Sequence, residues 1–279
     1  MKRTAAIHDI SGIGKCSLTV ALPVLSCAGI ETNVIPTALL STHTGGFDNF
    51  TYKDLTDEIL PIAKHWAELD IKFDSIYTGY LGSVRQVDIV LETFDLLCGD
   101  ETLIVVDPVM ADGGVLYKNF DENFPDVMKK LCKKADIILP NITEACLLTN
   151  TPYKEGPYSK DFIEGLIEKL KQVCDKNIVL TGVHFDSNHY GCACFDKTVG
   201  TVEYCFEEYI DGFFHGTGDL FGSVFLAAFM CDKPLVTAAQ IAQTITVNAI
   251  RKTKSEKTDV RFGVHFEEQL PLMMKFLGK

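Results

Sequence analysis

Thr4-Ala-Ala-Ile-His8, Cys16-Ser-Leu-Thr-Val-Ala-Leu-Pro-Val-Leu-Ser-Cys-Ala28 and Thr32-Asn-Val-Ile-Pro-Thr37 follow one another near the start of the chain. A short apolar run, a longer helix-length run and a second short β-branched run read as strand, helix and strand. Strands joined through a helix lie parallel, because the crossover returns the chain to the end it left. Working outward, strands are predicted at Ser75–Thr78, Leu103–Val106, Ile137–Leu139 and Ile178–Leu180. Helices are predicted between and after them at Lys53–Leu69, Val84–Leu97, Glu122–Lys134, Ile142–Thr149 and Lys160–Val173. This alternation predicts the α/β class, with a mostly parallel sheet covered on both faces. Tyr190–Lys197 and Val199–Phe206 read as an antiparallel hairpin, and helices near Gly218–Met230, Val236–Lys252 and Glu267–Phe276 follow. No Pro/Gly/Ser-rich linker and no repeat divides the chain, so residues 1–279 are expected to form one domain.

The composition is that of a globular chain, 47% hydrophobic and 23% charged over 279 residues. The net charge of −12 and the absence of a basic stretch with interleaved aromatics argue against a nucleic-acid partner. The short run Arg251-Lys-Thr-Lys254 reads as a solvated helix end. No segment approaches the roughly 18 apolar residues of a membrane span, and the apolar run in Met1–Asp9 is too short for a signal peptide. The ten cysteines have no framework spacing. Free thiols in a reducing cytosol, hence a cytoplasmic protein, are expected.

Ligands of a parallel sheet gather at the carboxyl ends of its strands. Polar residues recur there: Asp9 and Ser11; Ser41-Thr-His-Thr44; Thr78-Gly-Tyr80; Asp107-Pro108 and Asp112; Asn141 and Glu144; Thr181-Gly182. Six successive polar strand ends read as one rim.

His215-Gly-Thr-Gly-Asp-Leu-Phe-Gly222 leads into the predicted Gly218–Met230 helix. The first N–H groups of a helix have no partner within it, and the terminus attracts anions. Gly216 and Gly218 allow close approach of a ligand, and Asp219 stands at the lip. That suits phosphoryl transfer, with the N–H groups holding charge on the moving phosphate and Asp219 accepting the proton of the attacking hydroxyl. Thr217 or Asp219 could equally cap the helix. Asp107, Asp112 and Glu144 offer oxygen ligands for Mg²⁺, directly or through water. Asn141-Ile-Thr-Glu144 also has the spacing of a capping box. Gly12-Ile-Gly-Lys-Cys-Ser17 lacks the first glycine and the hydroxyl of a P-loop and reads either as a substrate-side loop with Asp9 and Ser11 or as a turn. His43 could meet a ring or make a structural hydrogen bond; Tyr80 could offer an aromatic face or be core edge. His184, His189, Cys192 and Cys194 have poor zinc spacing, and both thiols should share one buried strand face.

Together these residues resemble the ribokinase superfamily and, within it, the pyridoxal/pyridoxamine kinase family, over nearly the whole chain. Gly216-Thr-Gly-Asp-Leu-Phe221 is similar to the superfamily's anion-hole and base signature. Leu40–Phe47, Thr78-Gly-Tyr-Leu-Gly82, Asp107–Gly114 and Pro140-Asn-Ile-Thr-Glu-Ala145 are similar to the vitamin B6 kinase motifs. The family usually has glycine at Ala111 and often Ser-His in the first-strand loop. The resemblance implies a three-layer α/β/α sandwich, usually dimeric, using ATP and Mg²⁺, with a monovalent cation as a further option. It implies Asp219 as base for the substrate's 5′-hydroxymethyl group and Gly216, Thr217 and Gly218 around the transferring phosphate. Asn141 and Thr181, with Asp107 and Gly218, fall on the ATP side, and Asp112 and Glu144 around Mg²⁺. Ser11, Thr44 and Tyr80, with Asp9 and His43, fall on the pyridine ring. Adenine contacts are placed only by position, near Asn248 in the last helices.

The nearest alternative keeps the fold and takes hydroxymethylpyrimidine, although those kinases often carry Cys at the position of Asp219. A sugar kinase would want more carboxylates and amides at the start of the rim. A non-catalytic nucleotide-binding protein would be marked by loss of Asp219 or its glycines. An NAD-dependent oxidoreductase would need a glycine fingerprint that is missing.

Overall fold

The computed structural model describes all residues, Met1–Lys279. The first half runs β1 (Arg3–Ser11), α1 (Leu18–Cys27), β2 (Glu31–Leu40), β3 (Tyr52–Asp54), α2 (Thr56–Glu68), β4 (Ser75–Thr78), α3 (Val84–Leu97), β5 (Leu103–Val106), β6 (Ala111–Asp112), β7 (Val115–Leu116) and α4 (Phe124–Cys132). The second half runs β8 (Ile137–Ile138), α5 (Ile142–Leu148), α6 (Lys160–Leu170), β9 (Asn177–Val183), β10 (His189–Phe195), β11 (Val202–Glu208), α7 (Thr217–Met230), α8 (Leu235–Glu256) and α9 (Leu270–Leu277).

Nine strands form one sheet in the order β11-β10-β9-β8-β5-β4-β1-β2-β3. The six central strands, β9 to β2 in that order, are mutually parallel; β10, β11 and β3 are antiparallel additions at the edges. Successive side chains on a strand face opposite ways, so β4, β5, β8 and β9 each feed two cores. Ile76, Val106, Ile138, Ile178 and Leu180 enter one apolar cluster, packed against α2 to α6. Their neighbours Tyr77, Val105, Ile137 and Val179 enter the other, against α1, α7, α8 and α9. Burial on both faces is why these strands read as unbroken apolar runs. The α/β class, the mostly parallel sheet and the three layers therefore stand as read.

Several local expectations are corrected. The predicted helix Lys53–Leu69 begins three residues late, because Tyr52–Asp54 pair with Ala38–Leu40 as β3. The Asp54 carboxylate then accepts from the Thr56 N–H at 2.6 Å and starts α2. All three β3 residues are exposed, which erases the alternation a half-buried strand shows. Ala111–Leu116 forms a small hairpin that went unread; its turn residues Gly113 and Gly114 have φ of 56° and 82°, as a two-residue hairpin turn requires. Thr181 and Gly182 do not follow their strand but lie inside β9, which continues to Val183 because β10 pairs with it antiparallel. The helix predicted at Val236–Lys252 extends to Glu256, and α9 begins at Leu270 after a 3₁₀ turn at Glu267–Gln269.

Gly191 tests the pairing of the antiparallel edge. A Cβ there would lie 1.7 Å from the Cys205 carbonyl oxygen, backbone that cannot step aside. Gly191→Ala is expected to lower stability by about 1–3 kcal/mol, read as a lower urea midpoint at unchanged slope; an unchanged midpoint would contradict the pairing of β10 with β11.

Candidate active site

The site is built on the carboxyl ends of the parallel strands and the start of α7. Gly216 precedes α7 in the left-handed region (φ 76°), and no side chain caps the helix. A Cβ on Gly216 would lie 2.0 Å from the Lys15 carbonyl oxygen, so glycine is required where this loop presses on the β1–α1 loop. The Thr217 hydroxyl turns back to donate to the Phe214 carbonyl at 3.1 Å, and the first helical bond is Leu220 N–H to the Gly216 carbonyl at 3.0 Å. The N–H groups of the first turn are left facing outward. A Cβ at Gly218 would meet nothing within 4 Å, so there is room above them for a ligand. Of the two readings of this run, side-chain capping is the one the geometry does not contain.

Asp219 sits in the first turn of α7 at the wall of a cavity of about 460 Å³. Burial pushes its carboxyl up to about 7, the charge of Asp9 adds to this, and a backbone hydrogen bond from Ser17 works against it. A carboxylate with that affinity is suited to taking a proton near neutral pH.

The cavity brings together Asp107, Asp112, Asn141, Glu144, Thr181, Gly216, Thr217, Gly218 and Asp219. Asn141 and Glu144 make the capping box that starts α5: the Asn141 side chain accepts from the Glu144 N–H at 2.9 Å, and the Glu144 carboxylate from the Asn141 N–H at 2.9 Å. The other Glu144 oxygen accepts from the Met110 N–H at 3.0 Å, and Asn141 Nδ2 donates to the Ala111 carbonyl at 2.8 Å. This pair clamps the loop carrying Asp107 and Asp112. Burial pushes Glu144 up to about 8, with Asp112 adding to it and backbone donors opposing. Asp107 is pushed well above the usual carboxylate range by burial, then by Glu144 and Asp219. Asp112 is exposed on β6 and accepts from the Gly113 N–H at 2.8 Å. Crowded hard oxygens without a cationic side chain among them fit a divalent cation. Asp112 has the freer oxygens; those of Glu144 are taken by backbone donors.

The substrate-side residues do not line that cavity. They lie at the ends of β1, β2 and β4 or in the loops that follow, and among them the charge of Asp9 acts on Asp219. Asp9 is buried and accepts from the Ser11 hydroxyl at 3.0 Å and the Ser17 hydroxyl at 2.5 Å. Burial pushes the Cys16 thiol up, and the charges of Asp219 and Asp9 push it further. Tyr80 is half-buried; its hydroxyl pairs with the Asn119 amide and is pushed up to about 12, first by burial and then by Tyr52. Thr44 is exposed on the loop after β2. His43 is buried, and both its ring nitrogens have protein partners: Nδ1 accepts from the Gly45 N–H at 3.0 Å, and Nε2 lies 2.6 Å from the Arg261 carbonyl oxygen.

Sequence reasoning missed part of the wall. Gln243, Thr246, Val247 and Ile250 of α8 line the cavity with Tyr209 and Phe213. Their spacing on α8 is that of a buried helix face, indistinguishable in sequence from core. Asn248 does not line the cavity; its side-chain oxygen accepts from Arg251 at 2.6 Å. Ser17, with φ 52° and ψ −130°, carried no signal beyond its place in the glycine loop. The zinc quartet does not gather: His189 is exposed beside Asp186, His184 stacks on Tyr190 at 3.9 Å, and Cys192 and Cys194 share a buried face with Cys205.

Residues 25–263 match the family model described as phosphomethylpyrimidine kinase. A crystal structure with pyridoxal, of a Bacteroides thetaiotaomicron protein provisionally assigned as a phosphomethylpyrimidine kinase, is 35% identical with a TM-score of 0.92, covering 98% of this chain and 95% of that one. The pyridoxal kinase of Lactobacillus plantarum is 33% identical with a TM-score of 0.89, covering 99% and 97%. The pyridoxal kinase of Ovis aries is 28% identical over 242 residues, 79% of this chain and 74% of its own length.

Asp219 and Glu144 hold protons in the folded chain at pH values where an unfolded chain has released them. Stability contributed this way is complete below their ordinary values near 4 and is lost as pH rises through about 7 and about 8. The Tm of the ligand-free protein is therefore expected to fall between about pH 5 and about pH 8, less steeply in Asp219→Asn, and to recover at the upper end on adding Mg²⁺. A Tm that rises across that range would contradict the protonation assigned here.

Proposed function

The chain belongs to the phosphomethylpyrimidine kinase family, pyridoxal kinases included, and on that premise we propose that it transfers the γ-phosphoryl group of ATP to the 5′-hydroxymethyl group of a vitamin B6 vitamer, with residues 1–279 acting as one catalytic unit. The observation that carries the reading is the place of Asp219. It lines the cavity with the open N–H groups and the carboxylates, and the charge of Asp9, which follows β1 outside that cavity, acts on its carboxyl. The similarity to a protein crystallised with pyridoxal supports the choice of vitamer class.

In this reading ATP enters the cavity with its phosphates toward Gly218 and its base toward Thr246, Val247 and Ile250. The N–H groups at Gly216, Thr217 and Gly218 face the γ-phosphoryl oxygens and hold the charge spread over them in the transition state. The vitamer's ring lies among Asp9, Ser11, Thr44 and Tyr80, which sets its hydroxymethyl oxygen against Asp219. As that oxygen bonds to phosphorus and the bond to the ADP oxygen breaks, its proton passes to Asp219. Asn141 and Thr181 take part at the phosphates; His43 shapes the pocket through its ring, its nitrogens being taken. Asp107 and Asp112 would hold Mg²⁺, with Glu144 orienting their loop; the cation supplies charge neutralisation on the phosphates.

A second reading, transfer to hydroxymethylpyrimidine or its phosphate, has the family model behind it. The B6 vitamers and hydroxymethylpyrimidine both offer a hydroxymethyl group on a six-membered nitrogen ring, whereas in the pyrimidine's phosphate the acceptor would be a phosphate oxygen.

Coupled ADP release with Mg-ATP is expected to be fastest with pyridoxal, pyridoxamine or pyridoxine and much slower with hydroxymethylpyrimidine or ribose. Turnover on the pyrimidine alone would overturn the vitamer assignment and leave the chemistry. Asp219→Asn is expected to lower kcat by about 10²–10⁴ with little change in KM. Because Asp219 must be deprotonated to act, kcat/KM of the native enzyme should fall about tenfold per pH unit below about 7. Near-native kcat in the variant would remove Asp219 as base.

A further inference from the structure

His215 opens the run that forms the anion hole and has no part in the mechanism above. It lines the cavity directly before Gly216. Its ring packs at a tilt against His43 from the rim after β2, with centroids 4.5 Å apart and planes at 37°. His43 is itself fastened. Because Nδ1 accepts from Gly45, Nε2 carries the proton and donates it to the Arg261 carbonyl, at 2.6 Å. Phe47 and Phe213 pack edge-on against the two imidazoles, at 5.1 Å from His43 and 4.9 Å from His215.

The fit leaves no slack. A Cβ on Gly14 would lie 1.9 Å from the His43 ring, and one on Gly45 would lie 2.3 Å from the His215 ring. Gly263 meets the Gly14 carbonyl in the same way, at 2.4 Å. Four loops far apart in sequence, after β1, after β2, before α7 and after α8, thus close on one pair of rings. The loop before α7 carries the anion hole, and the loop after β2 carries Thr44.

We propose that the His43–His215 ring contact is a positioning interlock that sets the anion-hole loop against the substrate rim, with His215 the positioning residue. It rests on the reading of Gly216–Asp219 as the reacting centre. His215 need touch neither substrate. It holds Gly216 and the N–H groups after it in register with the pocket that presents the hydroxyl, and a register error of an ångström at such a centre is expensive in rate.

The test uses His215→Ala, His215→Phe, His43→Ala and the double alanine variant. His215→Ala is expected to lower kcat for the best vitamer by about 10- to 100-fold, with KM for ATP and vitamer moving less than about threefold. His215→Phe, which keeps a flat ring, should recover most of the loss. The double variant should be little worse than the worse single, since both break one contact. Equal impairment in His215→Phe and His215→Ala, or losses that multiply in the double variant, would overturn the interlock. Gly45→Ala, whose methyl would push on His215, replaces His215→Ala should that variant not fold. Hydrogen exchange on the nucleotide-free protein separates this inference from the function. Amides of Gly45–Phe47 should exchange faster in His215→Ala and at the native rate in His215→Phe. If the native protein phosphorylates none of the substrates, the functional reading fails and exchange alone decides the interlock; unchanged exchange in His215→Ala would overturn it.

Discussion

The site depends on one close contact, that of the loop before α7 with the loop after β1. Gly216 lies so near the Lys15 carbonyl that only a glycine fits. The same approach brings the Ser17 backbone near Asp219, where it opposes the upward push of burial on that carboxyl, while the Ser17 hydroxyl holds Asp9. Ser17 pays for this double duty with an unfavourable backbone conformation at the N-cap of α1. Because the loop is held by another loop, α7 needs no side-chain cap, and its N–H groups stay open to a ligand.

The same crowding sets the electrostatics. Asp107, Glu144 and Asp219 line one cavity with no lysine or arginine among its residues, the charge of Asp9 reaches Asp219, and all four are pushed above their usual range, chiefly by burial. Such an arrangement is unfavourable in the empty protein. It is rational if a cation and a polyphosphate complete it, and it places a half-protonated carboxylate where a hydroxyl must lose its proton. An acidic chain can hold an anionic nucleotide in this way because oriented N–H groups and the cation, rather than the net charge, set the local sign.

Much of this was legible in the residues. The central strands read correctly because burial on both faces makes them unbroken apolar runs, as at Leu103–Val106. The Asn141–Glu144 box, and the Gly216–Asp219 run as the start of a helix, read correctly because their spacing carries a physical rule. What escaped lacks such a rule. Tyr52–Asp54 is exposed on a sheet edge; the α8 residues lining the cavity look like core; the contacts of Ser17 and the His43–His215 ring contact form only once distant loops meet. The Cys192–Cys194 pair read correctly as one strand face, but its meeting with Cys205 required the register of β10 with β11.

The central claim is that Asp219 divides two subsites, nucleotide on the α8 side and vitamer on the Asp9–Tyr80 side. A crystal structure with pyridoxal and a non-hydrolysable ATP analogue tests it directly. The account requires the hydroxymethyl oxygen within roughly 2.6–3.2 Å of the Asp219 carboxylate and the γ-phosphate over the N–H groups at Gly216–Gly218. Pyridoxal bound instead among Gln243, Thr246 and Ile250, or a γ-phosphate remote from Gly218, would contradict it.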